Sequence, residues 1–275
     1  MAKETGMLPL ANTIVFANRK GGVGKTTSSA NVGVCLARRG YRTLLIDLDG
    51  QHNLTSSLGL AGGGHPTLAH LYNDPELELE RAAVASPVQD GLSVLCASSD
   101  LVQLEKALSA DATEGGFFLR EVIGDGSAWD YVIVDAPGAF DMLTSNALVA
   151  ARYVIAPSYP DAFSFRGIEK VMSVTNGLRH RGLNSEIEFL GVLLCAVARA
   201  GRHDLKITRE VRDAITANDL PLLPVEIPRS QRVIESTGYD EPVCVTYPDS
   251  PAAIAYDRLS KHLAEVGVTA IGAAA

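Results

Sequence analysis

At 275 residues and 29.1 kDa the chain has room for one large domain or two small ones, and 47% hydrophobic with 20% charged residues is enough apolar material for a sizeable core, which excludes a disordered chain. Lys and Arg number 24 against 32 Asp and Glu, giving a net charge of -8 and a pI near 5.3, so coating nucleic acid by bulk charge is excluded and any DNA contact has to be local. Cys35, Cys96, Cys195 and Cys244 are dispersed, with no CxxC pair and no His cluster at ligand spacing, so neither a disulfide framework nor a zinc site is expected.

In chain order, residues 1–20 lack the basic start and continuous apolar core of a signal peptide, and no window reaches the roughly 18 apolar residues of a membrane span. A soluble cytoplasmic protein is expected. Strands are expected at 13–17, 43–48, 92–97, 131–134, 153–156, 189–197 and, weakly, 222–227; several are β-branched and Leu runs ending in a carboxylate, as strands buried on both faces read. Helices are expected at 26–39 (stopped by Gly40), 101–109, 117–123, 142–151, 165–181, 205–217 and 251–266. This β-α alternation predicts an α/β fold, a doubly wound, mostly parallel sheet flanked by helices. No internal repeat or long linker is present, and residues 62–66 and 111–116 read as short surface loops, so one domain with a core of about 12–266 is expected.

Directly after the first strand comes Lys20-Gly21-Gly22-Val23-Gly24-Lys25-Thr26-Thr27, opening the first helix. Glycines let several N–H groups converge on one anion, and the helix N-terminus adds the positive end of its dipole. Lys25 would reach the β- and γ-phosphates of a nucleotide and the Thr26 hydroxyl would ligate Mg2+. Arg19 stands where the ordinary phosphate loop has its first glycine, and a second lysine, Lys20, sits five residues before Lys25. The segment resembles the deviant Walker A motif of the ParA/MinD group of P-loop ATPases, closest to the Soj-like partition members. The resemblance implies that Lys20 reaches across an ATP-sandwich homodimer to phosphates bound by the partner subunit.

Asp47-Leu48-Asp49-Gly50-Gln51 is similar to the family's second acidic segment, normally D-x-D-P-Q. Alternation sends Asp47 and Asp49 off the strand on the same side, toward its carboxyl end. The resemblance implies that Asp49 orients the attacking water and Asp47 holds Mg2+ through water. Gly50 replaces the usual proline, and the lost φ restraint predicts a looser segment. Asp135, after the apolar run Tyr131-Val132-Ile133-Val134, is the third candidate for a Mg2+ water, with Pro137-Gly138 as a γ-phosphate-sensing turn. His52, His65, His70 and His203 are expected at the surface or in switch loops, since phosphoryl transfer needs positioning and charge more than a tuned imidazole.

The resemblance continues to about residue 265 through residues 156–160, 163–169 and 227–235, and implies that the backbone near Ile227 and Pro228 contacts adenine; Ser230 replaces the family's Asn. The tail from His262 has neither a large apolar nor a cationic face, so no membrane anchor is expected. Arg199, Arg202, Lys206, Arg209, Arg212, Arg229 and Arg232 form a candidate patch for DNA phosphates, binding without reading sequence. The expectation is therefore a slow ATP hydrolase, using ATP and Mg2+, that dimerises with ATP, binds non-specific DNA at the nucleoid and answers to a ParB-like adaptor. A same-fold ATPase positioning a protein cargo, or a metabolic P-loop enzyme, is the alternative. No N-terminal helix-turn-helix domain is expected, only about a dozen residues preceding the first strand.

Overall fold

A computed structural model describes residues 12–110, 115–124, 128–161 and 165–273. Most of the loop expected at 111–116, and the start of the stretch 163–169, lie outside the described residues. The apolar runs form β1 (Asn12–Phe16), β2 (Thr43–Asp47), β3 (Val84–Ala85), β4 (Leu92–Leu95), β5 (Tyr131–Asp135), β6 (Tyr153–Ser158) and β7 (Glu188–Leu194). They lie in one sheet in the order β3-β4-β2-β5-β1-β6-β7, all neighbours parallel except β3 against β4.

The long helices are α1 (Lys25–Arg38), α5 (Leu101–Ala110), α7 (Met142–Ala150), α8 (Phe165–His180), α9 (Arg202–Ala217) and α12 (Pro251–Ala273); shorter ones are α2 (Asn53–Ser56), α3 (Leu68–Asn73), α4 (Leu79–Ala82), α6 (Phe118–Ile123), α10 (Gln231–Thr237) and α11 (Val243–Thr246). One face of the sheet packs on α1, α11 and α12, with Leu36, Tyr256 and Leu259 fully or nearly fully buried; the other packs on α3 to α8 through residues such as Leu68, Leu104 and Leu148. Strands covered on both sides need no polar alternation, which is why β1, β2 and β5 read as continuous apolar runs.

The weak strand expected at 222–227 is not a regular strand. The segment runs beside β7 through Val192 N–H to Pro221 O, Leu223 N–H to Val192 O and Ile227 N–H to Leu194 O, with only isolated bridges at Leu222 and Pro228. Pro221, Pro224 and Pro228 lack the donors a continuous ladder requires. Gly191 makes the close approach possible: its φ is +140, and a Cβ there would sit 2.5 Å from Pro221 O.

Strand order reverses around β1, between β5 and β6, so the carboxyl ends of β1, β2 and β5 open into one crevice where such sheets bind ligands. No helix among the described residues is long and apolar enough to cross a membrane.

Candidate nucleotide site

The phosphate loop is tied down at its first turn by Asn18, 1% exposed, whose Nδ2 donates to Pro157 O at 2.7 Å while its Oδ1 accepts from the Lys20 N–H at 3.0 Å. Gly22 (φ +70) and Gly24 (φ +96) then take left-handed conformations that an L side chain would strain, and Val23 turns inward, 1% exposed. The loop delivers the chain into α1, whose first-turn N–H groups have no intrahelical acceptor. There Gly21, Gly22, Gly24, Lys25, Thr26 and Thr27 line a cavity of about 550 Å3, within the range of small-ligand sites.

Asp135, 1% exposed, lies outside the cavity lining, and its Oδ1 accepts from Ser29 Oγ at 3.4 Å. Burial, then the charge of Asp47, pushes its pKa up to about 8, against the pull of Thr26 and Lys25. Asp47 and Asp135 are direct register partners across β2 and β5, hence their mutual repulsion. Lys25 is only 8% exposed; burial lowers its pKa while Asp135 and Asp49 raise it. Gly138 lies close by, its Cβ position 3.8 Å from Lys25 Nζ.

Asp47 departs from expectation. It is fully buried and not on the cavity wall: Oδ2 accepts from Thr55 N–H (2.9 Å) and Thr55 Oγ1 (2.8 Å), Oδ1 from Asp49 N–H (3.1 Å). Burial raises its pKa to about 6, partly offset by those bonds. Asp49 does line the cavity, its Oδ1 accepting from Gln51 N–H. The looseness expected from Gly50 is countered, because Thr55 Oγ1, anchored on Asp47, also accepts from Ala97 N–H at 3.0 Å.

The donor set suits Mg2+ with nucleotide. Among the described residues no three His, Cys, Asp or Glu side chains converge as an all-protein metal cage. Mg2+ keeps most of its waters and takes one or two carboxylates plus phosphates, and a divalent charge beside Thr26 would offset two buried carboxylates. Thr26 would ligate it from the cavity lining and Asp135 would hold it through water, while Asp47 accepts hydrogen bonds from Thr55 and Asp49.

Lys20 is ion-paired with Asp161 after β6. Pro228 is buried and bridged to Val197, away from the cavity lining. The wall facing the phosphate loop comes instead from Val233, Ser236 and Thr237 of α10 and from Asp240 to Pro242, together with Asn53, Ser56 and Ser57 near α2. Sequence reading missed this wall; its signal is the turn-rich run Ser236-Thr237-Gly238-Tyr239-Asp240. Asn31 holds it in place by accepting from Cys244 N–H at 2.9 Å.

The basic residues scatter into different settings. Arg212 forms a two-pronged pair with Glu226 (2.6 and 2.5 Å), Arg232 pairs with Glu235 and lies over the Tyr247 ring, and Lys206 sits 3.6 Å from Glu210. Arg229 reaches Asp204, which brings it beside the start of α9. Arg199, Arg202 and Arg209 are exposed and form no ion pair among the described residues. Of the histidines, His52 bonds Ser56 and His70 closes the N-terminal cap of α3 with Thr67.

A protein-family model described as an AAA domain matches residues 11–189. With this fold and phosphate loop, the chain belongs to the ParA/MinD family of P-loop ATPases. It is 34% identical over 251 residues to the chromosome-partitioning ATPase Soj of Thermus thermophilus, covering 91% of this chain and 94% of that protein. Cobyrinic acid a,c-diamide synthase from Mycobacterium smegmatis, solved with ADP and magnesium, superposes with TM-score 0.76 at 30% identity over 92% of this chain and 93% of that one. The Pyrococcus furiosus cell division ATPase MinD superposes with TM-score 0.72 at 25% identity, covering 94% and 100%.

Proposed function

We propose that the chain is a ParA-type partition ATPase that closes into an ATP-sandwich dimer, binds DNA without reading sequence and drives plasmid or chromosome segregation at the nucleoid. One observation carries the reading: a second lysine, Lys20, stands at the head of a phosphate loop whose own Lys25 already lines the cavity together with Asp49 after β2. Likeness to Soj over most of both chains supports it.

In this reading the start of α1 and Lys25 cradle the phosphates, Thr26 and Asp135 hold Mg2+, and Asp49 orients the attacking water. Mg2+, when bound, supplies charge neutralisation at the bridging phosphates. Lys20 gives the partner subunit a cation in trans, which couples turnover to dimerisation. Asp47 keeps the Asp49 segment in place. Hydrolysis is slow until a ParB-like adaptor stimulates it, and residues 12–266 act as one ATPase domain.

Mobility shift of a duplex of arbitrary sequence tests the reading: retardation with ATP and Mg2+, none with ADP, and loss in high salt. An ATP-loaded protein that leaves such DNA unshifted sinks partition and favours a metabolic P-loop enzyme.

A further inference from the structure

The net charge of -8 is unevenly placed. Between Arg42 and Lys106 the only Lys or Arg is Arg81, and residues 74–130 carry twelve Asp and Glu against three Lys and Arg. Their described part folds mainly as α4, α5 and α6, at the β3-β4 end of the sheet. Residues 199–232 carry seven Lys and Arg against five acids, and α9 there packs through Ile215 with Val192 and Leu194 at the opposite, β7 end.

The acidic end has an apolar furrow. Tyr72, 40% exposed and edge-on to Phe118 at 5.3 Å, stands between two grooves that share Leu77. One, about 470 Å3, runs over Leu79, Phe118 and Val122 with Glu78, Glu80 and Glu121 at its margin; the other, about 680 Å3, runs over Ala69 and Leu104 beside Asp74 and Asp100. Glu76, Glu78, Glu80 and Glu121 form no ion pair among the described residues. An apolar groove rimmed by uncompensated carboxylates fits an apolar knob carried between cations.

The basic end offers that shape. Arg202, Lys206 and Arg209 stand at i, i+4 and i+7 on α9, one face of the helix, with Leu205 among them 45% exposed. Two of those cations, Arg202 and Arg209, have no partner in an ion pair among the described residues.

We propose that α9 of one copy docks on the Tyr72 furrow of a second copy, with Leu205 as the apolar anchor and Arg202, Lys206 and Arg209 over the Glu78, Glu80 and Glu121 rim. The two surfaces are different patches at opposite ends of the sheet, so the contact is head-to-tail and leaves one of each free on every pair. It needs no nucleotide and does not use the cavity at the phosphate loop.

Sedimentation velocity without nucleotide tests it. Wild type is expected to associate with rising concentration at about 50 mM salt and to run as a monomer at about 500 mM, where exposed charges are screened. Glu78→Lys with Glu80→Lys, and separately Arg202→Glu with Arg209→Glu, are expected to run as monomers at low salt while keeping the wild-type melting temperature and ATP binding. Mixed in equal amounts, the two variants should associate with rising concentration as alternating copies, since each intact α9 meets an intact furrow and each reversed α9 meets a reversed furrow. A chain carrying all four reversals should associate again. Wild type that stays monomeric at low salt, self-association that survives either reversal, or a mixture without a complex overturns the proposal.

Discussion

Lys20 and Asp161 form an ion pair joining the head of the phosphate loop to the turn after β6, with both side chains about one-third exposed, at 38% and 35%. If Lys20 serves the partner's phosphates, this contact within one chain opens before the dimer closes. Exposed pairs are worth about 0.5 kcal/mol. Asp161→Asn should therefore lower the protein concentration needed for ATP-dependent dimerisation by about two- to threefold, read by light scattering. A higher requirement would show that Asp161 assists closure.

Lys20→Ala separates binding from turnover. Lys25 and the start of α1 remain, so nucleotide affinity by calorimetry should stay close to wild type while hydrolysis or the stable dimer is lost. Full turnover in that variant refutes a role in trans.

The buried carboxylates set a pH dependence. Asp47 and Asp135 have pKa values raised to about 6 and about 8, against roughly 4 in an unfolded chain. Each holds its proton more tightly folded than unfolded, so their contribution to stability is full below about pH 4 and is lost as pH rises through 6 and then 8. Lys25, lowered by burial, acts in the opposite sense at higher pH. Melting of nucleotide-free protein should show a decline between pH 6 and 8 that Asp135→Asn removes and that ATP with Mg2+ suppresses. A decline unchanged in Asp135→Asn assigns it elsewhere.

The arginines are ranked by what already holds them. Arg202→Ala and Arg209→Ala remove unpaired cations and should each weaken DNA binding severalfold and flatten its salt dependence. Arg212→Ala, locked to Glu226, should leave DNA affinity close to wild type and lower the melting temperature instead. Equal DNA losses from all three would contradict that ranking.

Gly191→Ala should be costly although it lies outside the cavity lining. A Cβ would meet Pro221 O at 2.5 Å on a backbone with φ +140, so a loss of about 2–4 kcal/mol is expected in denaturant unfolding. A loss under about 1 kcal/mol would mean that the Pro221 segment moves aside easily.

The sequence made the frame legible because buried parallel strands and long amphipathic helices carry strong periodic signals: β1, β2, β5 and α1 fall within a residue or so of expectation. α2, α3, α4, α10 and α11 were missed; four to seven residues are too few to show a helical period. Lys25, Thr26 and Asp49, named from the phosphate loop and the family resemblance, line the cavity, and Asp135 ends β5 as the apolar run implied. The α10 wall was not legible, since Val233, Ser236 and Thr237 are ordinary residues brought to the cavity by Asn31 and α11. Strand alternation likewise sent Asp47 toward the ligand, but the chain folds back and spends its carboxylate on Thr55.

That bracing changes what kind of joint the segment is. A proline at position 50 would limit the backbone through a ring whose stiffness no solvent condition alters. Here Gly50 carries no such ring, and the restraint passes to a carboxylate accepting three hydrogen bonds, with a pKa of about 6. Mildly acid solution takes away part of that acceptor capacity, so the hold on Asp49 depends on proton concentration where a ring would have made it constant.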